Sequence, residues 1–439
     1  MAEGEKALLE RLDSFDAGTR RQALRDILGM VESGGISIPP VKAESNLHYH
    51  TFFSFNANGW SPSRIAWESL KYGLEISGIV DFDVLDGMDE FLDVGELLGL
   101  KTTVGLETRV FINELSDKVI SSPNEPGVAY FMASGCYRHP KPGSRAEQIL
   151  LSMRNTARDR NLAMVERINA YLNPITLSYD ADVTPLTPAG NATERHLLLA
   201  YDLKAKSVLG GDAAKVAAFW AVKLGITPDE ASALIADTPK FHDKMRAKLM
   251  KYGGVGYIAP ESGSFPAIED AVRMIHGMGA IPTATWLDGT NPGEEDAMAY
   301  LELLISKGVR AANIIPDRNW NIKDPEQKAI KTRKLKEFIE ACRHFNMPVI
   351  AGTEMNKAGL PFVDNFSAPE LAPYADDFMT GARCIYGHTA LARYASFGYL
   401  SEESMAAFGE DWKARNSFFA KAGAALQTEA SIAQIMKEK

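Results

Sequence analysis

The regular alternation of short apolar strands with amphipathic helices limits the fold of this chain more than any other feature. Between residues 46 and 107 the pattern runs strand, helix, strand, helix, strand. Ser61 and Pro62 provide a helix N-cap followed by proline at the first helical position, and Gly73 and Gly99 follow the two predicted helices. Such alternation predicts an α/β fold with a parallel sheet or a barrel.

The alternation continues beyond residue 107 with one long interruption. A fourth strand is predicted at 128–134, and mostly helical sequence follows from Arg145 to about Tyr252. The pattern then resumes with strands at 280–286, 311–316 and 347–354, helices at 294–306 and 332–345, and a further short strand at 376–379. Helical spacing of apolar residues also predicts helix within residues 1–35 and after residue 385.

The composition is that of an ordinary globular protein, with 46% apolar and 24% charged residues in 439. The net charge of −10 argues against broad, nonspecific binding of nucleic acid, which needs a basic surface. Three widely separated cysteines, Cys136, Cys342 and Cys384, favour a reduced, cytoplasmic protein without a thiolate metal site. We expect neither a signal peptide nor a membrane span.

His48 and His50 are the first candidates for chemistry. They alternate with Leu47 and Tyr49, so in a strand both imidazoles lie on one face and can hold a divalent metal. A strand with two structural histidines is the alternative. Strand-end carboxylates support a metal site, because the carboxyl ends of parallel strands meet at one edge: Asp81, Glu107 and Glu354. Histidine with carboxylate suits zinc, manganese or iron, and such a metal can activate water at neutral pH.

Several segments resemble motifs of the PHP family (polymerase and histidinol phosphatase). His48-Tyr-His50-Thr51, Ile79-Val-Asp81-Phe82 and Val104-Gly-Leu-Glu107 resemble its first three motifs. Arg195-His196 with Gly253-Gly-Val-Gly-Tyr257 resembles its nucleotide phosphoesterase branch, and Gly352-Thr-Glu354-Met-Asn356 resembles its final Gly-Ser-Asp-x-His motif. The resemblance covers roughly residues 45–380 and is strongest over 45–110.

The resemblance implies a distorted (β/α)7 TIM-like barrel with metals at the carboxyl ends of its strands. The chain then divides into five parts: an N-terminal helical arm (1–44), the first part of a PHP-like barrel (45–137), a helical insertion (138–255), the second part of the barrel (256–385) and a C-terminal helical extension (386–439). The insertion contains the candidate ligand His196, and this position suggests a lid.

The chain departs from the family at several metal positions. Phe82 stands where the family has a histidine, and Thr285 and Asn356 fall at two later histidine positions. The first-loop ligand falls near Phe55 or Asn56. Carried over residue by residue, the resemblance implies one complete metal site, a second that lacks a strong third ligand, and a third that is lost.

The resemblance assigns a role to each candidate. His48, His50, Glu107 and Glu354 would hold the first metal, and Glu107 with His196 the incomplete second. Asp81 would orient a ligand or water, and Arg195 would stabilise phosphate. Candidate substrate contacts are Asn356, Lys357 and His388. Arg318 is either another phosphate partner or a solvated surface charge.

These assignments favour a metal-dependent hydrolase that cleaves a small phosphorylated or nucleotide-like molecule through metal-activated water. Two alternatives stay open. A degenerate barrel could bind a metal or an anionic metabolite without catalysis, because Phe82, Thr285 and Asn356 replace ligands. A mononuclear metal enzyme could instead catalyse C–N hydrolysis or aldol cleavage, because fold alone does not fix function. The partner predicted in each case is a small anionic molecule, and the sequence leaves the oligomeric state open.

Overall fold

The computed structural model describes residues 3–259, 263–425 and 435–436. The chain forms two compact units. The first comprises Met1–Thr51, Asn56–Leu151 and Phe265–Lys439, and the second comprises Phe52–Phe55 and Ser152–Ser264. Within the described residues, no helix has both the length and the apolar character needed to cross a membrane.

The first unit is built on a seven-stranded sheet whose strands follow one another in chain order. The strands are β1 Lys42–Tyr49, β2 Leu74–Phe82, β3 Lys101–Phe111, β4 Val128–Ser134, β5 Ile281–Trp286, β6 Ala311–Ile314 and β7 Val349–Ala351. A parallel bridge between Tyr49 and Glu354 joins the first strand to the segment after the last. The sheet is therefore a nearly closed barrel, which confirms the predicted α/β barrel fold.

Helices of the first unit lie around this sheet, and the other helices form the interruption between β4 and β5. In chain order they are α1 Glu3–Leu12, α2 Ala17–Glu32, α3 Pro62–Tyr72, α4 Met88–Leu98, α5 Arg145–Leu172, α6 Glu194–Val208, α7 Ala213–Leu224, α8 Pro228–Ala236, α9 Thr238–Leu249, α10 Ile268–Gly277, α11 Ala297–Ser306, α12 Asp317–Trp320, α13 Pro325–His344, α14 Ala375–Ala395, α15 Glu402–Phe408 and α16 Trp412–Ala425. The N-terminal segment is helical as predicted.

Strand β4 departs from the expected parallel arrangement. It is antiparallel to both β3 and β5. Parallel neighbours need a crossover, usually a helix. The connection from β3 to β4 contains only the short 3-10 helix Asn113–Leu115, so the chain turns back beside β3. Strand β3 also continues past Glu107 to Phe111, so this carboxylate lies inside the strand instead of at its end.

The strand predicted at 376–379 is wrong, because these residues open helix α14. Four residues are too few to distinguish strand from helix by periodicity. Asp376 and Asp377 fall in the first turn, where acids interact favourably with the helix dipole. Helix α14 continues to Ala395, so the predicted boundary at 385/386 falls inside it. It packs Ala382, Ile385 and other residues into a core shared with the sheet.

The second unit has a helical core of its own. Buried side chains from several helices form it, including Ile168, Leu197, Tyr201, Trp220 and Phe241. Helix α8 begins with a capping box between Thr227 and Glu230, as the Thr-Pro-Asp-Glu sequence suggested. The helical insertion was predicted at 138–255, whereas the compact unit runs over 152–264 and includes 52–55.

Candidate metal centre

Strand β1 presents the histidine pair. His48 lies within β1 and His50 follows it directly, and both are fully buried. Asn46 fixes the local backbone, since its Oδ1 accepts the N–H of His48 at 3.0 Å and its Nδ2 donates to Thr353 Oγ1 at 2.8 Å. The two imidazole rings lie side by side, with centroids 5.2 Å apart.

Glu107 completes a cluster with the two histidines. Its Oε2 lies 3.3 Å from Nε2 of His48 and 3.3 Å from Nε2 of His50. The three ligand atoms all lie within 4.8 Å of one another. Ligands bound at about 2.1 Å, at angles of about 90–110°, lie about 3.0–3.4 Å apart, so the spacing fits a divalent metal.

Hydrogen bonding at these atoms also fits a metal. Nε2 of His48 and Oε2 of Glu107 are buried, and no described residue gives either a hydrogen bond of acceptable geometry. Buried polar atoms are otherwise satisfied in the great majority of cases. Glu107 is only 2% exposed, so solvent does not replace the missing partner. A cation between these atoms would satisfy both.

Mutual electrostatics shift the pKa values of this pair. Burial works against a charged His48, yet the Glu107 carboxylate raises the pKa of His48 above its usual 6.5. Burial likewise works against a charged Glu107, but the two histidines lower its pKa to about 2. The Glu107 carboxylate thus favours a positive charge beside it, and a metal cation would supply one.

Asn313, at the carboxyl end of β6, sets the orientation of His48. Nδ1 of His48 lies 3.4 Å from Oδ1 of Asn313. With the Nδ1 proton directed to this oxygen, Nε2 faces Glu107, and this is how metal-binding histidines are commonly held. The sequence reasoning missed Asn313. Its only signal was a polar residue within the apolar strand Ala311–Ile314.

Phe82, which the sequence resemblance aligns with a histidine ligand, packs on a histidine. Its ring stacks on that of His50 with centroids 4.6 Å apart and 24° between the planes. Tyr130 of β4 lies beyond it, 6.5 Å from Phe82 between ring centroids. The antiparallel direction of β4 places the start of this strand, with Tyr130, opposite Arg109 near the carboxyl end of β3.

Glu354 lies next to the cluster but contacts a different partner. Its backbone N–H donates to His48 O at 2.7 Å, and its carbonyl accepts the N–H of His50 at 2.9 Å. Its carboxylate pairs with Arg318, whose Nη2 lies 3.2 Å from Oε2. The predicted fourth ligand is thus held between the two histidines by its backbone while its side chain binds a guanidinium.

Asp81 has a clear local role. Its Oδ1 accepts the backbone N–H of Thr51 at 2.8 Å, and its Oδ2 accepts the Thr51 hydroxyl at 2.7 Å. Asp81 is 3% exposed. It therefore fixes the residue that follows His50, and its role in orienting a ligand or water stays a prediction.

His196 and Arg195 belong to the second unit. The Nδ1 of His196 accepts the N–H of Thr193 at 3.1 Å and completes a capping box at the start of α6. Burial lowers the pKa of His196 to about 4, so the ring is neutral near pH 7. Arg195 pairs with Asp243 at 3.0 Å. The second metal site and the phosphate contact of Arg195 stay predictions.

The candidate substrate contacts lie in different settings. Asn356 is partly buried and Lys357 is exposed in the segment after β7. His388 is fully buried, its Nε2 donates to Gly135 O at 3.0 Å, and its Nδ1 accepts the N–H of Tyr399 at 2.9 Å. Both ring nitrogens are thus bound to backbone groups. Substrate contacts of Asn356, Lys357 and His388 stay predictions.

The sequence matches no protein-family profile and no curated protein. Two solved structures are similar in fold. One, from Bifidobacterium adolescentis and assigned as a metal-dependent phosphoesterase, has 17% identity and a TM-score of 0.46, covering 77% of this chain and 97% of its own. The other, an amidohydrolase from Chromobacterium violaceum with bound sulfate and no metal, has 14% identity and a TM-score of 0.47, covering 76% and 96%. Both structural similarities are distant. The phosphoesterase and amidohydrolase activities are those of the two neighbouring proteins.

Proposed function

We propose that this protein is a metal-dependent hydrolase of the PHP type that cleaves a small anionic phosphoester. The observation that carries the proposal is the buried cluster of His48, His50 and Glu107. In this cluster Oε2 of Glu107 lies 3.3 Å from Nε2 of each histidine. A divalent zinc, manganese or iron ion at these residues would supply a Lewis acid and lower the pKa of water to about 7.

The residues around the cluster support this use. Asn313 directs the imidazole of His48, and Asp81 fixes the residue after His50. Phe82 lies against His50 and restricts access of water to one side of this ring. Together these contacts hold the ligands in one arrangement before a metal binds, which lowers the cost of binding.

The proposal is tested with the full chain, stripped by a chelator and reloaded separately with Zn²⁺, Mn²⁺ or Fe²⁺. We expect hydrolysis of an aryl phosphate by the reloaded protein. Glu107→Ala should lower kcat/KM by at least about 100-fold, because even outer-shell partners of metal ligands are worth about 10–100-fold. His139→Ala is the matched control, since His139 is half exposed and pairs with Asp89.

The alternatives give different results in the same experiment. Cleavage of an amide panel without phosphate hydrolysis would support a C–N hydrolase. Metal binding without turnover of either class would support a binding protein, a reading that the loss of ligands at Phe82 and Thr285 favours. Hydrolysis that is equal in wild type and Glu107→Ala would contradict the proposal.

A further inference from the structure

The ion pair between Arg318 and Glu354 lies at the edge of the candidate metal centre. Arg318 is in the short helix α12, which follows β6 directly. Its Nη2 lies 3.2 Å from Oε2 and 3.5 Å from Oε1 of Glu354. The side chain of Glu354 is 11% exposed and that of Arg318 is 44% exposed. The acid is thus buried, while the cation reaches it from a partly open position.

The backbone at Glu354 is held in an unusual conformation. Glu354 has φ 63° and Met355 has φ 52°, in the left-handed region that non-glycine residues rarely adopt. Such conformations are energetically costly and cluster at functional sites. The backbone N–H of Glu354 donates to His48 O, and the carbonyl of Glu354 accepts the N–H of His50. These two hydrogen bonds hold the segment in place. The carboxylate is therefore attached at a point between the two histidines.

Charge couples the pair to the centre. Glu354 raises the pKa of Arg318 above its usual value, burial lowers it, and Tyr130 and Glu107 raise it further. Glu354 also contributes to the raised pKa of His48. The guanidinium thus lies within electrostatic reach of Glu107, and the carboxylate within reach of His48.

The carboxylate of Glu354 has two competing partners. A metal at His48, His50 and Glu107 would attract it as a further ligand, because a carboxylate suits the same metals as imidazole. In the structure it is bound to Arg318. A carboxylate oxygen that moves to the metal leaves guanidinium N–H groups without their acceptor. Those groups would then face the centre from a partly exposed position.

We propose that Arg318 recognises the anionic group of the substrate, and that Glu354 occupies Arg318 until a metal draws this carboxylate away. The inference rests on the proposed function, because it assumes a metal at the cluster. Guanidinium binds a tetrahedral oxyanion through two parallel N–H bonds, which suits a phosphoester. Arg318 is thus a specificity residue, and Glu354 couples metal binding to anion binding.

Reciprocity makes the inference measurable without turnover. If metal binding frees Arg318, the metal raises the affinity for an anion, and the anion raises the affinity for the metal by the same factor. Inorganic sulfate is the probe, because it is a tetrahedral dianion that stays soluble with Mn²⁺. Calorimetry on the full chain gives the Kd for sulfate with and without Mn²⁺, and the Kd for Mn²⁺ with and without sulfate.

Four variants separate recognition from folding. The coupling factor is the factor by which Mn²⁺ raises the affinity for sulfate, and Arg318→Ala should lower it at least tenfold. The affinity of this variant for Mn²⁺ without sulfate should be retained or increased. Glu354→Ala should bind sulfate without metal about tenfold more tightly than wild type does, because Arg318 is then free. The double variant should lose this gain. Arg343→Ala is the matched control, since Arg343 forms an exposed two-bond pair with Asp377 in the same unit.

The outcomes distinguish the inference from the function on which it rests. Absence of Mn²⁺ binding to wild type refutes the metal centre and the coupling together. Mn²⁺ binding with equal coupling in wild type and Arg318→Ala refutes the inference alone. A Glu354→Ala variant that stays folded by circular dichroism but gains no metal-free affinity for sulfate also overturns it. A purely structural ion pair would change the thermal midpoint and leave the coupling factor unmoved.

Discussion

Phe82 stacks on the imidazole of His50, with ring centroids 4.6 Å apart. A phenyl ring in this position cannot bind a metal, but it restricts the rotation of the histidine beside it. The stack thus holds the His50 ring in one orientation. This relationship makes Phe82 a positioning residue of the candidate centre.

Shortening Phe82 should therefore weaken metal binding. We expect Phe82→Ala to lower Mn²⁺ affinity about tenfold, because outer-shell contacts of a ligand are worth about 10–100-fold. Since Phe82 is only partly buried, the loss in unfolding free energy should stay below the about 3–5 kcal/mol of a fully buried phenylalanine. Phe82→Leu should fall between wild type and alanine in a calorimetric titration. Equal affinities in all three proteins would show that the stack has no role.

Asn313 should raise the affinity for Mn²⁺ by a similar factor, because it contacts the metal-binding candidate His48. Removing the oxygen that faces Nδ1 of His48 allows the ring to turn and lowers its basicity. We expect Asn313→Ala to weaken Mn²⁺ binding about 10–100-fold, and Asn313→Asp to retain or strengthen it. Asn321→Ala is the control, because Asn321 is exposed. Among the described residues, its side chain donates a hydrogen bond to Asp317, four positions earlier in the chain. The idea fails if both Asn313 variants bind as wild type does.

Gly352 should tolerate no side chain. A Cβ at this position would lie 2.6 Å from the backbone nitrogen of His48 and 2.7 Å from Oδ1 of Asn46. Gly352→Ala must displace β1, so we expect a loss of about 1–3 kcal/mol in unfolding free energy and weaker metal binding. At Gly29, in helix α2, a Cβ meets nothing within 4 Å. Gly29→Ala should leave metal binding unchanged and stabilise the chain by about 0.5–1 kcal/mol. Both variants are compared by urea unfolding. An equal change in unfolding free energy in the two variants would show that Gly352 is not in close contact with His48 and Asn46.

The stability of the metal-free protein should depend on pH through His48 and Glu107. The pKa of His48 is raised, so its contribution is complete below about pH 6.5 and is lost as pH rises through the folded value. The pKa of Glu107 is lowered to about 2, so its contribution is present above about pH 4.5 and is lost as pH falls toward about 2.

A difference measurement isolates this pair. Unfolding free energies of wild type and Glu107→Gln are compared in urea with chelator present, between about pH 5.5 and about 8.5. We expect the advantage of wild type to shrink as pH rises through this window, because the Glu107 carboxylate then faces a neutral imidazole. Glu302→Gln, an exposed site on α11, should give a difference that does not vary with pH. A constant advantage for wild type over Glu107→Gln would contradict the assigned charges.

Much of the fold followed from local patterns. Alternation along β1 placed His48 and His50 on one face, and strand–helix alternation predicted most elements of the barrel. These features depend on near neighbours in the sequence, which propensity and periodicity describe well. The direction of β4 depends on its pairing with β3 across a connection that has no crossover helix, and the strand pattern of 128–134 alone does not specify that direction.

The candidate site was only partly accessible from sequence for the same reason. The structure brings His48, His50 and Glu107 together, as the predicted ligand set required. The contact of Asn313 with His48 joins residues 265 positions apart, and no sequence period encodes such a pair. The sequence alone does not show that Arg318 pairs with Glu354, because this ion pair is a tertiary contact.

Metal content tests the central claim most directly. Wild type, His48→Ala and Glu107→Ala are purified without chelator, and bound metals are counted by elemental mass spectrometry, with Mn²⁺ and Zn²⁺ affinities from calorimetry. We predict about one metal per wild-type chain, with affinity reduced at least about 100-fold in both variants. The absence of metal from wild type, or the same metal content and affinity in all three proteins, would contradict a metal centre at His48, His50 and Glu107.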